Sequence, residues 1–98
     1  MSVGPTNVKK VVLSGPVTLY TVSQVRETLQ SALASGKPLQ LDLGDSGPWD
    51  LAGVQLLISC AHSGASHQRD LLLLNTPSGC LDVAKRAGLS DWLAAHQA

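Results

Sequence analysis

The stretch LDLGDSGPWDLAGVQLLI, Leu41 to Ile58, constrains the fold more than any other part of the chain. Leu39, Leu41 and Leu43 alternate with polar residues and are bounded by turn formers, which predicts a short strand. Leu51, Val54, Leu57, Ile58 and Ala61 then recur at helical spacing, while Leu56 and Cys60 make the same helix apolar elsewhere. A helix with so few polar positions is packed on more than one side. Asp50 stands at its start, and its carboxylate can accept a hydrogen bond from the backbone N–H of Ala52 or Gly53.

The flanking segments supply the neighbours. Val8 to Leu13 and Val17 to Tyr20 are rich in β-branched residues and flank Ser14, Gly15 and Pro16, which predicts two antiparallel strands joined by a tight turn. Val22, Val25, Leu29, Ala32 and Leu33 define a first helix. Thr21 with Gln24 has the form of a capping box at its start, Gly36 suits its left-handed end, and Pro38 stops it. Gly64 and the polar run SHQRD close the second helix. Leu71 to Asn75 reads as a strand covered on both faces. A third helix begins at Thr76 and Pro77, with proline at its first position, and carries Cys80, Val83, Ala84 and Ala87 before Gly88. Ser90 caps a last short helix.

The expected fold is a single α/β domain spanning residues 1–98, with a four-stranded mixed sheet. An antiparallel hairpin opens it, parallel βαβ units follow, and the helices pack mainly on one face. With no Phe, and with Trp49, Trp92 and Tyr20 as the aromatics, the core is built from Leu, Val and Ala.

Charge and composition exclude several functions. Acidic and basic residues number seven each and are spread along the chain, so there is no electrostatic footprint for nucleic acid. The apolar runs are far too short to span a bilayer, and the start lacks a signal-peptide pattern; a cytoplasmic protein without direct membrane insertion is expected. Cys60 and Cys80 read as small core residues. His62 and His67 are five apart, a poor match to metal ligands on one helix face, and His96 lies near the end of the sequence; no metal site and no cofactor are expected. There is neither a phosphate loop nor a nucleophile elbow. Asp42, Asp45 and Asp50 are the acids best placed for acid–base work, but a strand-end carboxylate and a helix cap describe Asp42 and Asp50 better. An enzyme is not expected.

The order of elements and the central loop together resemble a STAS domain, the family of bacterial anti-sigma factor antagonists and of related domains of anion transporters. The family's central segment is similar to LDLSGVxxIDSSGLxLLL, and Leu41 to Ile58 lies on it without a gap. LSGPVTLYTVSQVRETL and LLLLNTPSGCLDVAKRAGLSDWL resemble the family's opening and closing segments. In the antagonists, the resemblance implies, the serine just before the motif glycine is phosphorylated by a partner kinase. That position is Ala52 here, preceded by Leu51, so neither side chain can carry phosphate. Ser46 and Ser59 are the nearest other hydroxyls, and both lie away from the motif position.

The resemblance therefore implies a protein-binding regulatory module without the usual phosphoswitch. Its partner is of the anti-sigma factor or kinase type, a chemotaxis component, or a transporter component. Helix residues VQLL, Val54 to Leu57, resemble STAS proteins encoded with chemotaxis genes; the STAS subunit of phospholipid-transport ABC systems is the alternative. The expected partner surface comprises Asp45, Ser46, Pro48, Trp49, Asp50, Leu51, Ala52 and Gly53. Within it Asp50 caps the helix, Gly53 permits close approach, and Trp49 is either an anchor or a ring folded over the loop. A small-ligand pocket at the same loop is a further alternative, with the helix N-terminus holding an anionic nucleotide or lipid head group and Leu51 and Leu56 lining an apolar part.

Overall fold

The computed structural model describes residues 8–35, 37–66 and 71–97, so Gly36 and His67 lie outside the described residues. In chain order the elements are β1 (Lys9–Val17), α1 (Val22–Leu33), β2 (Leu39–Trp49), α2 (Leu51–Ser66), β3 (Leu71–Leu74), α3 (Ser78–Arg86) and α4 (Ser90–His96). Among the described residues the sheet has three strands in the order β1-β2-β3, and both pairings are parallel.

The opening hairpin does not form. Lys9 to Val17 is one strand that runs through Ser14, Gly15 and Pro16, with Gly15 at φ +78°. The partner strand explains the difference. β2 continues beyond Leu43 through Gly44 to Trp49, a stretch that reads as a loop in sequence, and pairs with β1 along its length. Register shifts between Val12 and Ser14 and between Gly15 and Val17 absorb the irregular residues. With its hydrogen bonds satisfied by β2, the turn signal becomes a kink. Thr18 to Thr21 form a turn instead of a second strand, leaving Leu19 and Tyr20 largely exposed.

Burial alternates along the sheet. Leu39, Leu41 and Leu43 are buried, as are Leu71 and Leu73 across the parallel register. Leu72 and Leu74 are only half-buried because they pair with Gln40 and Asp42 on the other face. Four consecutive leucines hide this alternation, so β3 is fully covered on one face rather than both. Leu29 and Ala32 of α1, Val54 and Leu57 of α2, Cys80 and Ala84 of α3, and Leu93 of α4 join the buried leucines in one core. α2 packs against α1, α3 and β3, which accounts for its apolar character all round.

Several local expectations shift by a residue or a partner. The Thr21 hydroxyl makes no cap to α1; it donates to the Pro16 carbonyl (2.9 Å) and accepts from the Thr18 N–H (3.0 Å), closing the turn before the helix. α2 continues past Gly64 to Ser66. Pro77 is the cap residue of α3 rather than its first helical position, and Ser90 is the first residue of α4 rather than its cap. α3 does stop at Gly88, where the N–H of Leu89 bonds the carbonyl of Ala84 (2.7 Å) and that of Gly88 bonds Lys85 (3.2 Å), a Schellman ending.

Cys60 and Cys80 are free, buried thiols, and burial pushes both up to about 11. They are packing residues, as the composition predicts.

Candidate functional site

Three hydrogen bonds centred on Asp50 organise the start of α2, and two of them join it to the end of β1 and the turn that follows. Its Oδ1 accepts from the Gly53 N–H at 3.2 Å, the expected helix cap. Its Oδ2 accepts from the Leu19 N–H at 2.9 Å, and its own N–H reaches the Val17 carbonyl at 3.4 Å. The second carboxylate oxygen thus fixes the β1–α1 turn against the helix, a role that chain order alone does not reveal. Because Asp50 occupies the place an anion would take at this helix end, the arrangement offers little to a phosphate head group.

Gly53 is buried beneath the same joint. A methyl group there would overlap the Val17 carbonyl oxygen and stand 2.9 Å from both Trp49 Cε3 and Val17 Cγ1. The expected close approach is therefore between α2 and β1 within the fold.

Trp49 resolves in favour of the folded-over ring, with only 7% of its surface exposed. Its Nε1 donates to Ser46 Oγ (2.9 Å), and that hydroxyl in turn donates to the Leu43 carbonyl (2.7 Å). Ser46 is thereby committed to holding this end of β2. The Gly47–Pro48 peptide is cis, and Asp45 and Pro48 are exposed on the same segment. Nearby, Asp42 accepts from the Gly44 N–H (2.9 Å) and from Asn75 Nδ2 (3.2 Å); the first of these bonds is the main cause that holds its carboxyl below the ordinary carboxylate range. Asp42 thus ties β2 to the residue that follows β3.

What the joint presents outward is apolar. Leu51 is 43% exposed, Leu19 67% and Tyr20 94%. Ala52 is half-buried beside them. Two shallow grooves border this ridge. One, of about 240 Å³, lies between α1 and α2 and includes Leu19, Val22, Arg26, Ala52 and Gln55; the other, of about 400 Å³, lies toward α3 and includes Asp50, Leu51, Val83 and Arg86. Leu56 lines the first groove but is 6% exposed, so it belongs chiefly to the core. Leu19, Tyr20, Arg26 and Arg86 were not expected at the site. Adjacent Leu19 and Tyr20 carried a signal, because a strand covered on one face cannot bury two successive large side chains.

Among the described residues no group of His, Cys, Asp and Glu side chains is placed to hold a metal ion. His62 is exposed, and His96 stacks on Trp92 at 4.4 Å between ring centroids, with Nδ1 2.9 Å from the Trp92 carbonyl. No helix among the described residues is long and apolar enough to cross a membrane.

A family model described as "Mlab, STAS domain" matches residues 4–95. This chain belongs to the STAS family. The fold of this STAS domain is similar to that in the crystal structure of a sulfate transporter family protein from Wolinella succinogenes, with a TM-score of 0.74 and 19% identity over 95% of this chain and 77% of that one. No curated protein matches it in sequence. The matching family is one of binding and regulatory modules, and no catalytic family is indicated.

For this STAS domain, Asp50→Ala is expected to remove about 1 to 2 kcal/mol of stability, because it deletes a helix cap and leaves the Leu19 N–H without its partner. Urea unfolding measures the loss. A variant as stable as the parent would show that the joint does not depend on this carboxylate.

Proposed function

We propose that this STAS domain is a non-enzymatic regulatory module that holds a partner protein through the start of α2 and the end of β2 before it, without a serine phosphoswitch. The observation that carries the reading is the exposed apolar rim of Leu19, Tyr20 and Leu51, held in place by the two-sided hydrogen bonding of Asp50. Leu51 and Ala52 put an apolar surface where the family resemblance implies a phosphorylated serine. A phosphate there would add about −1.5 to −2 charges at the helix start, a change these residues cannot undergo.

In this reading Leu51, Ala52, Asp45 and Pro48 meet the partner, while Trp49, Ser46, Asp50 and Gly53 shape the surface from within. Binding is constitutive with respect to modification of this domain. The partner is a component of a transport system, a reading in keeping with the likeness in fold to a sulfate transporter family protein, or a signalling protein of the chemotaxis or anti-sigma type.

The test is affinity capture from native extract with the parent, Leu51→Asp and Tyr20→Ala, followed by mass spectrometry and by phosphatase treatment of the bait. One specific partner is expected, retained after phosphatase and lost by Leu51→Asp without a change in melting temperature. Capture that depends on phosphorylation of this chain, or that is indifferent to both substitutions, would overturn the reading. The identity of the retained protein separates transport from signalling.

A further inference from the structure

We infer that the partner presents an amphipathic segment whose apolar stripe is bordered on both sides by carboxylates, and that Arg26 and Arg86 receive them. The inference rests on the reading of the α2 start as the docking surface, and adds the chemistry of what docks there.

The two arginines stand on opposite sides of the apolar ridge. Arg26 lies on α1 and is the charged residue of the groove that includes Leu19, Ala52 and Gln55. Arg86 ends α3 and lines the groove that includes Asp50 and Leu51. Both are exposed, and among the described residues neither guanidinium has a hydrogen-bond or ion-pair partner. Acids are close in sequence: Glu27 adjoins Arg26, and Asp82 precedes Arg86 by one helical turn. Neither forms the pair. Asp50, the acid of the second groove, has both carboxylate oxygens engaged by the N–H groups of Leu19 and Gly53.

An apolar surface bracketed by unpaired cations selects its complement. The Arg stems can lie along apolar side chains while the guanidinium forks remain free to take carboxylates in bidentate fashion. A segment with lysines in the same places would set like charges against each other at both edges. Grooves between helices suit a helical occupant that lays its apolar face along the ridge.

The probes are two synthetic amphipathic helical peptides with the same leucine stripe, one bordered on both sides by glutamate and the other by lysine. Binding to the full chain is measured by titration calorimetry for the parent, for the double variant Arg26→Glu, Arg86→Glu, and for Leu51→Asp, with thermal melts confirming that each is folded. The parent is expected to bind the glutamate peptide about tenfold more tightly than the lysine peptide, and the double variant to reverse that order. The preference should shrink as salt is raised. Leu51→Asp is expected to lose both peptides.

Equal affinities, a lysine preference, or no measurable binding of either peptide by the parent would overturn the inference. If Leu51→Asp loses both peptides while the parent does not discriminate between them, the inference fails and the docking reading stands. If Leu51→Asp binds as well as the parent, the docking reading itself fails. A parent chain that self-associates, and that the double variant renders monomeric, would assign the arginines to a second copy and overturn the proposal as stated.

Discussion

Gly53→Ala is expected to lower the stability of this STAS domain by about 3 kcal/mol, within the upper range for overpacking a tight interior position. The added methyl would have to occupy the space of the Val17 carbonyl oxygen, and it would press on Trp49 and Val17 side chains that are themselves buried. A flexible side chain can rotate away from such a contact, but the first obstacle is backbone that is paired in the sheet. Relief requires α2 to move away from β1, and that movement breaks the Asp50 N–H bond to Val17 and loosens the Leu19 contact. For a domain of this size the loss corresponds to a fall of about 12 to 24 °C in melting temperature. Calorimetry of parent and variant measures it directly. A fall of less than about 3 °C would mean that the helix start is free to shift, and the rigid joint described above would not exist.

Trp49→Ala should cost about 3 to 5 kcal/mol, the usual range for truncating a large buried aromatic. The ring is 7% exposed, packs in the core cluster, and anchors Ser46 through its indole N–H. Its loss opens a cavity beneath the proposed docking surface and frees the Ser46 hydroxyl from one partner. The expected signature is a large drop in the urea midpoint together with weaker partner binding. Leu51→Asp should do the opposite: lost binding at nearly unchanged stability, because Leu51 is 43% exposed. The pair of variants separates support from contact. If Trp49→Ala abolished binding while unfolding at the parent midpoint, the indole would be a contact residue rather than a support of the surface.

The elements most legible in sequence were those whose apolar period was unambiguous. Leu39, Leu41 and Leu43 alternate and do form a buried strand face; Val22 to Leu33 and Cys80 to Ala84 follow helical spacing and do form helices. The packing of α2 on several sides was also readable, because its polar positions are too few for a surface helix. Asp50 as a cap followed from local chemistry, since Gly53 is only three residues away.

The readings that changed share one cause, a partner distant in sequence. Gly15 and Pro16 form a turn signal, but pairing with Asp45 to Trp49 converts it into a kink in a continuous strand. Gly44 to Pro48 look like a loop, and the same pairing holds them extended. Thr21 looks like a cap and instead closes the turn onto Pro16. Asp50 was expected to serve its own helix alone, and its second oxygen reaches Leu19 across the joint.

By itself the sequence determined the α/β class, the order and approximate extent of the helices, the leucine-rich core, the family resemblance, and the lack of a hydroxyl at positions 51 and 52, because each follows from residue identity or from spacing within one segment. Only the tertiary structure decided that β1 is a single strand, that Trp49 faces inward, and that Leu19 and Arg26 line one groove beside the start of α2 while Leu51 and Arg86 line another. Those outcomes depend on which backbone groups find partners across the sheet and which side chains are left uncovered once they do. Competition among distant hydrogen-bond and packing partners is settled over the whole chain at once, and no local window of residues contains it.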